Sequence, residues 1–146
     1  MFKVVSFLFV SLFITGCNSQ KSPEQVLTKY INLRLSTEQS RDGLSSYLTG
    51  EMLDGVMSLS TDEYKAFISS TNIKKKKLKI NHKRCSSDKC FLTYTLKYSS
   101  PKEGDEDYLM SVKKIAEIVK DEEMWKISKV SDLKSHLESF KPIEVK

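Results

Sequence analysis

The chain has 146 residues, with 24 Lys and Arg against 19 Asp and Glu and a formal net charge of +5. That length suits one domain around one core and is short for two. The mild basic excess favours anionic headgroups or other polyanions as partners. Nucleic acid is excluded by the patterning, because the basic residues are not interleaved with aromatics along any one element.

The first element is a secretion signal over residues 1–16. Lys3 gives a positive start, and a nearly unbroken apolar run follows from Val4 to Ile14. The run is too short to span a bilayer and lacks a stop-transfer flank. It ends in Ile14-Thr15-Gly16-Cys17, which resembles the bacterial lipobox at all four positions. The resemblance implies cleavage before Cys17, a diacylglycerol on the Cys17 thiol with three acyl chains on that residue in all, and attachment to a membrane of the bacterial cell envelope. Two such chains already hold a protein stably on a bilayer. Asn18, where an Asp would resemble the inner-membrane retention signal, implies the outer membrane facing the periplasm. An envelope address also counts against nucleic acid. Residues 17–21 are then the lipidated cysteine and a short polar tether, and residues 22–140 the domain.

Ser22-Pro23-Glu24-Gln25 is a helix start, with Ser at the N-cap, Pro at the first helical position and Gln closing a capping box. Val26, Leu27, Tyr30 and Ile31 follow at helical spacing, which predicts a helix over 23–35. Leu44, Tyr47 and Leu48 form a second apolar stripe. Gly50 interrupts, and Met52, Leu53, Val56 and Met57 form a third, read as core. Ser60-Thr61-Asp62-Glu63 is another capping box, opening a short helix with Tyr64, Phe67 and Ile68 on one face.

After Asn72 the period changes to two. Leu78 and Ile80 alternate with lysines, and Leu92, Tyr94, Leu96 and Tyr98 alternate with Phe91, Thr93, Thr95 and Lys97. Ser99 to Asp107 reads as a solvated loop. A third strand is expected over about 108–119, a charged turn at 120–123 and a fourth strand over 124–130. Ser131-Asp132 suits either the cap of a final short helix carrying Leu133, Leu137 and Phe140, or a further edge segment. Residues 141–146 read as a frayed tail. Helices followed by a strand meander make an α+β domain, with helices covering one face of an antiparallel sheet.

This order of elements resembles the nuclear transport factor 2-like, or cystatin-like, superfamily and its small bacterial lipoproteins. The matching stretches are SPEQVLTKYINLRLS, LSSYLTGEMLDGVMSLS and IAEIVKDEEMWKISKV, the last containing the Trp125-Lys126-Ile127 strand start. The resemblance implies helices in the concave side of a curved sheet, forming a cone whose open end is often a pocket. Such domains include isomerases, dehydratases and non-catalytic envelope proteins, so the fold does not choose the function.

Cys85 and Cys90 bracket Ser86 to Lys89. If those four residues make a hairpin loop, the two cysteines oppose each other within disulfide range, in a compartment where such bonds persist. A metal reading through His82, Cys85 and Cys90 lacks a fourth ligand, and no metal or other cofactor is expected. His82, two residues from Ile80, is the one candidate general base, set against an edge histidine facing solvent. Tyr30, Tyr47, Tyr94 and Trp125 are candidate pocket aromatics, each equally explained by core packing. The run Lys74, Lys75, Lys76 and Lys77 is either an anionic-surface contact or a solvated edge that discourages edge-to-edge pairing. The sequence thus suggests a non-catalytic module that binds an envelope protein or a small apolar ligand. The alternatives are an isomerase- or dehydratase-type enzyme with His82 as base, and an accessory subunit of a secretion or assembly complex.

Overall fold

The computed structural model describes residues 20–36, 39–69, 74–101 and 107–138. Its elements run α1 Pro23–Arg34, α2 Arg41–Ser45, α3 Gly50–Ser58, α4 Thr61–Ser69, then β1 Lys74–Cys85, β2 Lys89–Pro101, β3 Asp107–Asp121 and β4 Met124–Glu138. The strands form one antiparallel meander in the order β1-β2-β3-β4. This is the expected α+β arrangement.

The local signals act as their chemistry requires. Ser22 Oγ accepts from the Gln25 amide at 3.3 Å, and Gln25 Oε1 accepts from the Ser22 amide at 2.9 Å. Two of the helix's orphan donors are thereby satisfied. Ser60 and Glu63 make the same reciprocal pair at the head of α4, at 2.7 and 3.3 Å. Gly50 opens α3 at φ 55°, a left-handed value that a side chain would strain.

The core lies between α1 to α4 and one sheet face. Leu27, Leu48, Leu92, Ala116, Ile118 and Ile127 are completely buried, with Val26 and Ile31 beside them. Met52 packs against this cluster. Met57 does not: it is 51% exposed, on the far side of α3, and the expectation of a core methionine fails there.

Strand boundaries differ from expectation in β2, β3 and β4, and β3 also takes Lys120 and Asp121 from the expected turn. Residues 99–101 and 107 belong to β2 and β3 rather than to a loop, because each has a ladder partner in the other strand. In β4, the segment from Ser131 is strand as far as Glu138, so the edge alternative holds and the helix does not form. The first half of β3 needs a hydrogen-bonding partner on that side, and Ser135 opposite Val112 and Leu137 opposite Met110 supply it. Tertiary pairing outweighs a capping signal of modest strength. Phe140 and residues 141–146 lie outside the described residues, as do Cys17 and the signal.

Candidate functional site

Trp125 and Ile127 alternate onto the inner face at the start of β4. Ile127 is buried there, while Trp125, nearer the sheet end, remains half-buried. The segment joining α2 and α3 then adds itself to this strand. Leu48 pairs with Ile127 as a parallel bridge; the Ile127 amide donates to the Tyr47 carbonyl at 2.8 Å and the Thr49 amide to the Ile127 carbonyl at 3.0 Å. Thr49 Oγ1 also donates to Asp121 Oδ2 at 3.1 Å, and Lys126 Nζ meets the same oxygen at 2.9 Å. These bonds place Tyr47 beside Trp125.

Between them lies a cleft of about 520 Å³, lined by Gln20, Lys21, Tyr47, Glu122, Met124 and Trp125 among others. Lys21 Nζ sits 5.1 Å from the Tyr47 ring centroid, and Lys120 Nζ sits 5.5 Å from that of Trp125. Both are within cation–π range. Glu122 and Glu123 form the β3–β4 turn at φ 47° and 66°, and both residues line the cleft. The site therefore offers two aromatic walls, an exposed methionine and charges of both signs. Such a surface suits recognition better than proton transfer.

Of the four aromatics singled out in the sequence, Tyr47 and Trp125 come together in this cleft, and the other two do not join them. Tyr94 is 3% exposed in the core, and Tyr30 packs against that core. Burial pushes both phenols upward in pKa; Arg34 partly offsets this at Tyr30. No motif in the sequence marks Gln20, Lys21, Glu122, Glu123 or Met124 as site residues. The one available signal was the adjacency of the charged turn to the chain's single tryptophan.

Of the two readings of His82, base on the inner face or edge histidine facing solvent, the structure has the second. Ile80 pairs with Tyr94, but His82 pairs with Thr93, so Asn81 is an extra residue in β1. The bulge reverses the alternation. His82 is consequently exposed on the face opposite the helices, while Lys83 turns inward and meets Glu24 of α1 at 2.6 Å. Among the described residues no group of three His, Cys, Asp or Glu is placed to hold a metal.

Cys85 and Cys90 are joined by a disulfide, with Cα atoms 4.0 Å apart. They are directly opposed across the β1–β2 hairpin, closed by the Ser86 amide donating to the Lys89 carbonyl at 2.8 Å. Cys90 is buried and Cys85 exposed. Lys74 to Lys77 open the edge strand β1, and Lys77 is exposed there. No described helix is long and apolar enough to cross a membrane.

No protein-family model and no curated protein matches the chain. Among solved structures, the crystal structure of the intermembrane space region of the chloroplast protein ARC6 is similar, with a TM-score of 0.58 and 18% sequence identity. The match covers 75% of this chain and 92% of that one. At such identity the likeness concerns the arrangement of helices on an antiparallel sheet and nothing further.

Proposed function

We propose that the protein is a bacterial envelope lipoprotein, held by acyl chains on Cys17 at the outer membrane facing the periplasm. Its domain is a nuclear transport factor 2-like cone that binds rather than catalyses. The observation carrying the binding reading is the Tyr47–Trp125 cleft, which lies against Gln20 and Lys21, where the tether joins the domain. Bulges at Lys76, Asn81, Ser128 and Leu133 interrupt both outer strands. Bulges bend and twist a strand, which favours the curved sheet of a cone. The enzyme alternative loses its one candidate base, since His82 is exposed on the face away from the helices. A cleft with an aromatic pair and charged rim accommodates an extended segment of an envelope protein or a small ligand with an apolar group.

A photo-reactive benzophenone residue placed at Met124, which is 53% exposed on the cleft rim, tests this in cells. The binding reading expects a discrete adduct at Met124, lost on Trp125→Ala and absent from the same probe at Leu133. His82→Ala should leave the adduct and the envelope phenotype unchanged. An unmodified Met124 probe, or a phenotype lost with His82→Ala in folded protein, would overturn it.

A further inference from the structure

One face of the sheet packs against the helices; the other is covered by no helix among the described residues. Directly opposed residues of an antiparallel ladder share a face, so the register gives that surface row by row. One row crosses all four strands as Lys79, Thr95, Lys113 and Lys134. The next begins with Lys77 opposite Lys97. Beyond the His82 row come Arg84, Phe91, Glu117 and Lys129.

Two features of this pattern are unfavourable for the isolated domain. Lys113 faces Lys134 directly, and like charges so placed destabilise a ladder. The acids near the hairpin end are already engaged. Glu117 takes Lys89 at 3.2 Å and the Ser128 hydroxyl at 3.0 Å, and Asp121 takes Lys126. Among the described residues no acid pairs with Lys79, Lys113 or Lys134, which leaves the charge of that row open to an external anion. In the row beside Glu117, Phe91 is 36% exposed, an aromatic ring at the level where headgroups would sit.

We propose that this sheet face docks on a bilayer bearing anionic phospholipid headgroups. The proposal rests on the envelope-lipoprotein reading, which places a bilayer close by. Cations dispersed over four strands match a laterally extended array of phosphates better than a compact ligand. Their attraction to such a surface is additive and screened by salt. The lysines therefore orient a domain that the acyl chains only tether.

The test uses lipidated protein reconstituted into vesicles of phosphatidylcholine alone or with about a third phosphatidylglycerol. Acetylation of lysines is then read by mass spectrometry. Lys113 and Lys134 should be acetylated at least threefold more slowly on the anionic vesicles, and the difference should vanish in molar salt. Lys29 on α1 and Lys65 on α4 should be unaffected. In the Lys113→Gln/Lys134→Gln variant the protection of Lys79 and Lys129 should fall as well. Equal labelling on the two vesicle types would overturn the proposal, as would protection that appears only when acidic envelope proteins are added. Flotation separates the underlying reading. Protein that floats with both vesicle types but labels equally keeps its anchor and loses the docking face. Protein that floats with anionic vesicles alone keeps the face and loses the anchor.

Discussion

Asn81 shows how much one residue decides. Paired regularly, Asn81 would carry His82 to the inner face with Ile80; as an extra residue it leaves His82 outward, and the inward place passes to Lys83. Lys83 then holds Glu24, and its hydrogen bond keeps the Glu24 carboxyl below the ordinary glutamate value of 4.5, against the opposing effect of burial. The Lys126 hydrogen bond, aided by Thr49, likewise keeps Asp121 below the ordinary aspartate value of 3.8. A carboxyl depressed in the folded state stabilises it above the unfolded-state value, and that stabilisation is lost as pH falls through the folded-state value. The domain should therefore lose stability progressively below about pH 4.5, read as a falling urea midpoint between pH 5 and pH 2. Glu24→Gln should lower the midpoint at pH 7 and flatten the acid slope. An unchanged slope in that variant would remove Glu24 from the account.

The disulfide belongs to the same scale. Closing so short a loop constrains the unfolded chain by about 2 kcal/mol. Reduction, or Cys85→Ala/Cys90→Ala, should lower the melting temperature by roughly 6–12 °C, as expected for a domain of this size. Mass spectrometry after alkylation without reductant should show neither Cys85 nor Cys90 modified.

Among the elements, the β3–β4 hairpin carries a conformational cost in its turn. Both Glu122 and Glu123 adopt positive φ, the signature of a two-residue turn that normally takes Asn-Gly. Glu122→Asn/Glu123→Gly should raise stability by about 1 kcal/mol, seen as a higher urea midpoint at constant slope. The same variant should weaken whatever the cleft binds if the two carboxylates contribute. Stability and binding would then move in opposite directions, as expected where strain is kept for a site. In α1 the opposite holds: propensity, cap and burial agree. Leu27 is completely buried against the sheet, and Leu27→Ala should cost about 2–5 kcal/mol, measured by the same titration.

At the scale of the whole molecule, the two outer strands are the exposed liability of an open sheet. Each carries two bulges, and Lys77, Lys79, Lys129 and Lys134 lie along them. Both devices discourage edge-to-edge association. The Tyr47–Thr49 segment covers part of the β4 edge directly. The proposed anchor is tested at this scale too. Cys17→Ser should move the protein from the detergent phase to the aqueous phase, or leave it uncleaved, in a detergent phase-separation experiment. Partitioning identical to the parent chain would refute acylation at Cys17.

What the sequence determined by itself was local. The capping boxes at Ser22 and Ser60 act within a single turn, and the four-residue spacing of Cys85 and Cys90 restricts them to one hairpin. Hydrophobic period alone separated helices from strands and gave the α+β order. The proposed cleavage and acylation at Cys17 rest likewise on a contiguous signal. What the tertiary structure decided was non-local. Pairing with β3 extended β4 through Ser131 to Glu138, and an extra residue at Asn81 reversed the direction of His82. Backbone bonds between Tyr47 and Ile127 brought Tyr47 and Trp125 into one cleft while Tyr30 and Tyr94 stayed with the core. These outcomes depend on register and on contacts between residues far apart in the chain. Periodicity cannot fix either, because a shift of one residue leaves composition unchanged and moves every following side chain to the other face.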